Sequence, residues 1–442
     1  MVYKSPRQKA LEILTAVLDK KKSLKSVLTD SVFSEFNKSD RAFLIELVYG
    51  VLRNLYFIDY LLEEFFQKKG GLSSYTVNNL RCALYQLIFM HIPEYAATSE
   101  AVNAEKLFNG KPGVVNAILR NFLRKYSNKT FDNLLKSDNF NDKAHYLSVK
   151  HSHPQWLVRR WLNRFSPEDV EAFLKANNEK APFTIAVKPE ERQEITDYLN
   201  KKGFKTEFTK TVPSGLIVEG QRHEIIKNLK EASFFWIIQD EASQLVCFFV
   251  DPGEGLNVLD ACSAPGGKTL LIAALMKEGR IVCTEHNQER FKMLTENIER
   301  VKKFFPDVKI EPKLADIYSL GVNNLDNTNF DRILLDAPCS STGVIRRNPD
   351  VRYRVSEQEI ERLSKNQENL LEKVSSFLAQ NGILVYSVCS TEPEEGEIII
   401  NNFLQKHNEF SRIKILRTYP HKDGTDAFFI AKLLKNRVVQ TL

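Results

Sequence analysis

Cysteine is scarce in this chain and never closely paired. There are six, at positions 82, 247, 262, 283, 339 and 389, and no CxxC among them. That spacing offers neither a zinc site nor a disulfide framework, so free thiols in a reducing compartment are expected. Long apolar runs are missing as well. No stretch reaches the roughly 20 residues that span a bilayer, and the opening Met1-Val2-Tyr3-Lys4-Ser5-Pro6-Arg7 lacks the apolar core of a secretory signal. The expectation is a cytoplasmic protein with no membrane partner and no metal. Internal repeats and low-complexity tracts are also absent.

What remains is ordinary in bulk and uneven in detail. With 442 residues, 43% hydrophobic and 27% charged, the chain has room for two or three domains with ample cores. Residues 1–125 hold 18 Lys+Arg against 12 Asp+Glu, and the remainder holds 44 of each, so the whole net charge of +6 sits in the first quarter. Such a segment suits docking on phosphates, although a solvated basic face would look the same.

Periodicity divides the chain into three parts. Residues 1–140 read as all-α. Apolar residues at 43, 44, 47, 48, 51, 52, 55, 58 and 62 predict one amphipathic helix over 39–66, and the stripes over 80–91, 99–108 and 114–124 continue the pattern. Residues 145–235 read as a small α+β module that begins with a basic, Trp-bearing helix over 158–165. Strand-like runs over 183–187 and 215–219 flank a helical stretch over 190–202. From 236 to 442 apolar strands alternate with helices, the pattern of a doubly wound, mostly parallel α/β sheet. Strands are predicted at 257–259, 280–284, 309–314, 331–335, 382–386, 413–417 and 427–434, and helices at 267–278, 288–305, 356–380 and 394–407. Cys82 and Cys247 fall in apolar helical patterns and are expected in cores.

Open sheets of this kind bind ligands beyond the carboxyl ends of their strands. Three strand ends carry chemistry. Leu256–Asp260 runs into the turn Cys262-Ser263-Ala264-Pro265-Gly266-Gly267-Lys268, which is neither a Walker loop nor GxGxxG but still lets backbone N–H groups approach a ligand at a helix N-terminus. Glu285 ends the next strand, where such folds hold a ribose diol, and Asp316 after the third could accept from an adenine amine. Either acid alone would be a solvated turn residue; together with the turn they favour a nucleoside. Asp336 and Cys339 follow one later strand and Cys389 follows another. A lone cysteine in either place reads as a buried hydrophobe, whereas two beside a nucleoside site suggest a thiolate enzyme.

The stretches LDACSAPGGKT, LLDAPCSSTGVIRRNPDVR and YSVCSTEPEEGE resemble, in that order, the cofactor, catalytic and nucleophile motifs of the Sun/Fmu-type RNA cytosine-C5 methyltransferases. Residues 1–140 resemble the NusB-like RNA-binding domain of that family's bacterial ribosomal RNA branch, and FFIAKLLK at 428–435 is similar to its closing strand. The resemblance implies a Rossmann-like methyltransferase domain that binds S-adenosyl-L-methionine through Cys262, Ser263, Ala264, Pro265, Gly266, Gly267, Lys268, Glu285, Asp316 and Asp336. It implies that Cys389 is the nucleophile, that Cys339 assists product release, and that the partner is small-subunit (16S) ribosomal RNA. Val388 stands where the family usually has Thr, and Ser263 where Ala is commoner.

The residue chemistry runs the same way. Cytosine C5 becomes nucleophilic once a thiolate adds to C6, and Asp336 can hydrogen-bond the exocyclic amine or protonated N3 and stabilise charge developing in the ring. Cys339 could take the C5 proton. Arg346, Arg347, Arg352 and Arg354 suit phosphates and unpaired bases, or else a salt-bridged loop. Other readings remain: a DNA cytosine methyltransferase built on the Pro-Cys pair, an enzyme acting on another RNA such as tRNA, or a non-catalytic RNA-binding assembly factor. A monomer is expected.

Overall fold

The structure is a computed structural model that describes residues 5–66, 71–126, 134–135, 140–320 and 329–437. It divides into two compact units: Met1–Glu179 with Ile345–Arg354, and Lys180–Val344 with Val355–Leu442. The predicted 145–235 module straddles the boundary at 179.

The first unit is helical, with its longer helices at Pro6–Leu18, Lys38–Arg53, Ser74–Ile88, Glu94–Leu107 and Pro112–Tyr126. Local signals set their starts. Ser5 and Gln8 form a reciprocal capping box ahead of Pro6, and Asn37 and Ser73 cap the next two long helices by accepting backbone N–H groups. The apolar faces, among them Leu44, Leu47, Val48, Val51, Leu80 and Leu84, close into one core. The single helix predicted over 39–66 is in fact two, Lys38–Arg53 and Leu55–Glu63. Asn54 leaves helical geometry (φ −119°, ψ 15°) and turns its side-chain amide back onto the Gly50 carbonyl at 2.9 Å. A short polar side chain that satisfies the backbone locally competes with helix continuation, and the apolar stripe runs across the break unchanged.

Residues 345–354 belong to this unit although they follow the Cys339 loop closely in sequence. The chain leaves the second unit after Val344 and rejoins it at Val355. Arg352, only 1% exposed, donates to the carbonyls of Arg53 (3.0 Å), Ser152 (2.8 Å) and Asn177 (3.1 Å) and to Asn178 Oδ1 (2.6 Å). Three of these acceptors lie at the C-terminal ends of helices, where the backbone carries partial negative charge. Asp350 accepts from Leu24 N and from Arg354 Nε, and the Tyr353 hydroxyl donates to the Leu52 carbonyl. The expectation that Arg352 meets RNA is therefore corrected: it is a buried structural cation. Arg346 is buried as well.

The second unit holds two sheets. The smaller comprises β1 (Thr184–Val187), β2 (Lys205–Phe208), β3 (Gly215–Glu219) and β4 (Trp236–Ile238), antiparallel in the order β2-β3-β1-β4. Helices Arg192–Lys201 and Arg222–Glu231 bury Ile195, Leu199, Ile225 and Leu229 against it. The sequence reading missed β2, which is mostly exposed, and β4, which is three residues long.

The larger sheet comprises β5 (Leu256–Asp260), β6 (Gly279–Glu285), β7 (Val308–Leu314), β8 (Phe330–Asp336), β9 (Leu378–Val388), β10 (Phe410–Arg417) and β11 (Phe429–Lys435), in the order β10-β11-β9-β8-β5-β6-β7. β9-β8-β5-β6-β7 pair in parallel, while β11 runs antiparallel to both β9 and β10. Apolar clusters cover both faces. The strand order reverses between β5 and β8, so the crevice for a ligand opens where those two strands end. The helix predicted over 356–380 stops at Ser375 and β9 begins at Leu378, four residues earlier than the apolar run suggested. Among the described residues no helix is long and apolar enough to cross a membrane.

Candidate active site

β5 delivers Asp260 to the crevice, and the turn that follows is bound to the end of β6. Ser263 donates to the Thr284 carbonyl through both its backbone N–H and its hydroxyl (3.0 Å each), and Thr284 Oγ1 returns a bond to the Ala261 carbonyl at 2.7 Å. Gly266 takes a left-handed conformation (φ 103°), where a Cβ would meet Leu294 Cδ1 at 2.8 Å, and it starts helix Gly267–Leu275. This position requires glycine on both counts.

Two cavities meet at Cys262. The first, about 230 Å³, is lined by Gln239, Asp240, Asp260, Ser263, Ala264, Pro265, Gly267, Lys268 and Asp336. The second, about 240 Å³, is lined by Glu285, Asp316, Tyr318 and Asn366 among others. The predicted cofactor residues thus fall on one continuous rim, apart from Gly266, which shapes the turn behind it. Glu285 is 3% exposed; Oε1 accepts from Asn287 N at 2.9 Å and Oε2 faces Arg290 at 3.4 Å. Asp316 is exposed and accepts from Tyr318 N. In the first cavity, Asp260 Oδ1 and Gln239 Oε1 are buried without a hydrogen-bond partner. Buried acceptors left open in this way fit a ligand that brings donors, such as an ammonium group. Burial, with a small addition from Asp336, pushes the Asp260 carboxyl up to about 7, although Thr269 Oγ1 donates to its Oδ2 at 2.6 Å. Neither Asp260 nor Gln239 was singled out in the sequence, although Asp260 had the same strand-end signal that drew attention to Glu285.

Lys268 reaches across to β8 and pairs with Asp336 Oδ2 at 2.7 Å, while Ser387 Oγ on β9 donates to Oδ1, also at 2.7 Å. Burial alone would depress the Lys268 ammonium, but the Asp336 carboxylate outweighs it and the net shift is upward. The carboxylate is thereby fixed in orientation from two sides.

The two cysteines lie together. Cys339 Sγ and Cys389 Sγ are 3.3 Å apart. Hydrogen bonding to Cys389, followed by burial, holds the Cys339 thiol protonated well above the usual range. Gly343 lets the backbones approach: it donates to the Cys389 carbonyl at 3.0 Å, accepts from Ala427 N at 2.9 Å, and leaves no space for a Cβ. Val388 points into the apolar cluster on one face of the sheet, where the family's Thr hydroxyl would have to find a polar partner. Cys262 lies at the junction of the cavities, and burial raises its thiol too. Cys82, Cys247 and Cys283 are buried, and among the described residues no group of His, Cys, Asp or Glu could hold a metal. The sequence reading also missed Glu395, which joins the two cysteine-bearing loops.

Comparison with known proteins agrees along the whole chain. Residues 247–434 match the family described as 16S rRNA methyltransferase RsmB/F, residues 4–124 the NusB family, and residues 153–224 the ferredoxin-like domain of the RsmF/B-like methyltransferases. The chain is 32% identical to the probable ribosomal RNA small subunit methyltransferase B of Bacillus subtilis, covering 98% of this chain and 99% of the relative. It is 30% identical to ribosomal RNA small subunit methyltransferase B of Yersinia enterocolitica over 97% and 98% of the two chains. Among solved structures, the crystal structure of PH0851 superposes with a TM-score of 0.77 at 25% identity, over 97% of this chain and 98% of that one. Identity of this order across essentially the full length of both chains, on a fold with a crevice at its strand ends, means that this chain belongs to the ribosomal RNA small subunit methyltransferase B family and is an RNA methyltransferase.

Proposed function

We propose that this enzyme transfers a methyl group from S-adenosyl-L-methionine to C5 of a cytosine in 16S ribosomal RNA, through a covalent bond between Cys389 and C6 of the base. The observation that carries the reading is the contact of two thiols at 3.3 Å just past the ends of β8 and β9, the strands that carry Asp336 and Ser387, where Asp336, held by Lys268 and Ser387, lines a cavity with unpartnered acceptors. Bound there, S-adenosyl-L-methionine would supply the electrophilic methyl group. Glu285 and Asp316 line the cavity suited to the nucleoside, and Asp260, Gln239 and the 262–268 turn the one suited to the amino-acid end.

The chain's own residues divide the remaining work. Cys389 adds to C6 as a thiolate and turns the ring into a nucleophile at C5. Asp336 accepts from the exocyclic amine or protonated N3 and stabilises charge in the ring. Cys339 changes role during the cycle. The contact with Cys389 is the first reason its proton is held tightly, and once Cys389 has become a thioether that reason is removed. Cys339 can then give its own proton to solvent and, as a thiolate, take the C5 proton; the C5–H electron pair forms the C5–C6 double bond as the C6–S bond breaks and Cys389 leaves as a thiolate. The basic residues of 1–125 would add affinity for phosphates, the enzyme would act as a monomer in the cytoplasm, and a target inside a helix would have to be flipped out.

The test is a pair of substitutions. Cys389→Ala should abolish methylation with cofactor affinity nearly unchanged; activity above about a tenth of wild type would move the nucleophile to Cys339. Cys339→Ala should accumulate a protein–RNA adduct, seen as a slower band on a denaturing, non-reducing gel. The double variant should lose that band, and its persistence there would refute attachment through Cys389.

A further inference from the structure

Glu395 takes no part in this chemistry, yet its carboxylate is buried and meets four donors. Oε1 accepts from Ser340 N at 2.8 Å and Gln367 Nε2 at 3.0 Å, and Oε2 from the hydroxyls of Ser340 and Ser390. Those two serines are the residues immediately after Cys339 and Cys389. Gln367 also donates to the Pro338 carbonyl at 2.8 Å, and the Tyr386 hydroxyl donates to the Glu395 backbone carbonyl at 2.7 Å. Burying a carboxylate is costly unless its acceptor sites are filled. Here the donors that fill them come from the two loops carrying sulfur and from the helix beside them.

We infer that Glu395 is a positioning residue: its carboxylate clamps the loop carrying Cys339 to the strand end carrying Cys389 and so sets the approach of the two sulfurs. The inference rests on the proposal that these cysteines are the working pair. The same two loops are also tied beyond the sulfurs, where Gly343 N donates to the Cys389 carbonyl at 3.0 Å and Thr342 Oγ1 accepts from Thr391 N at 3.0 Å. Glu395 adds the tie that takes hold of Ser340 and Ser390, the residues next to the two sulfurs, and so limits the pivoting of one loop on the other where the sulfurs stand. The effect on rate would come from orientation, since reacting groups must be held within a narrow range of distance and angle.

The test separates the clamp from the cysteine mechanism. Glu395→Gln keeps the size of the side chain but replaces an acceptor facing the serine hydroxyls with a donor. The double variant Ser340→Ala, Ser390→Ala removes those hydroxyls and leaves Glu395, which covers the case in which Glu395→Gln does not fold. Proximity is read without RNA, from the rate at which the diazene oxidant diamide, taking up both thiol hydrogens, closes a Cys339–Cys389 disulfide. Reaction is read from kcat and from KM for RNA and for S-adenosyl-L-methionine. The expected result is disulfide closure slowed at least about threefold, because the bond demands specific geometry. The kcat should fall about 10- to 100-fold with both KM values within about twofold of wild type. Unchanged closure in both variants would overturn the clamp. Slowed closure with wild-type kcat would leave the clamp standing and sink the two-cysteine mechanism instead.

Discussion

Arg352→Met asks whether the arginines after Cys339 serve RNA or the fold. In the structure the Arg352 guanidinium fills four acceptors, three of them carbonyls at helix C-termini, and no carboxylate is among those four. Burial depresses it to about 10, so the charge is uncomfortable where it stands and the hydrogen bonds hold it there. Two opposing terms follow from the substitution. Methionine relieves the cost of burying a cation, which on its own would stabilise. It also leaves four acceptors without donors, at about 1–3 kcal/mol each before relaxation or water entry. The second term is the larger, since four neutral acceptors lose their donors at once, and a net loss of about 3–5 kcal/mol is expected after partial relaxation. Arg352→Lys keeps the charge but has a shorter reach and three donors from a single point, so it should recover only part of that loss. The assay is urea denaturation of the full chain followed by tryptophan fluorescence, since Trp161 lies in the same unit, in contact with Phe173. Salt dependence of RNA binding is measured alongside. A stability loss below about 1 kcal/mol, together with a salt slope reduced by about 0.7, would show that Arg352 meets a phosphate in solution and would refute the buried reading.

Three other outcomes follow from the same geometry. Glu285→Ala and Asp316→Ala should raise KM for S-adenosyl-L-methionine more than they lower kcat, by roughly 10- to 150-fold for buried Glu285 and less for exposed Asp316, if charge-assisted bonds of about 1.5–3 kcal/mol are lost; a pure kcat effect would refute a nucleoside-binding role. Asp260, raised to about 7 in the fold, binds its proton more tightly folded than unfolded, so its contribution to stability should be fully present below about pH 4, decline between about pH 4 and 7, and be lost above. Asp260→Asn should flatten that decline in Tm, and an equal pH dependence in both proteins would place the titration elsewhere. Lys20, Lys22 and Lys25 are exposed in the first unit, and changing all three to Gln should reduce the slope of log affinity against log salt for single-stranded RNA by about 2 if each meets a phosphate; an unchanged slope would make the basic excess a solvated face.

Much of the larger sheet was legible because buried parallel strands are short apolar runs that end at chemistry. β5, β6, β8 and β9 all announced themselves this way, and with them Glu285, Asp336 and both cysteines acquired an address at the strand ends. Periodicity was weaker where a local hydrogen bond overrides it. The stripe over 39–66 continues through Asn54 because both helices bury the same kind of face, and only the side-chain bond to Gly50 reveals the break. β2 and β4 were too short or too exposed to leave a pattern.

Side chains whose partners lie far away in sequence were the least legible, and Arg352 and Glu395 are mirror cases. In RRNPDVRYR the arginines look like a basic patch because the string contains their charge and none of their acceptors. Those of Arg352 come from positions 53, 152, 177 and 178. In STEPEEGE, Glu395 looks like one solvated acid among several, and of its donors only Ser390 is a near neighbour. A charged residue in a sequence reads as surface by default, since burial of an unpaired charge is rare. The exceptions are residues for which the fold assembles several partners of matching polarity. Such assembly is needed where loops from different elements must hold one geometry, as at the two cysteines. Strand ends pointed to Glu285, Asp336 and the two cysteines as candidates, whereas the partners of Arg352 and Glu395 became visible only when distant segments were brought together.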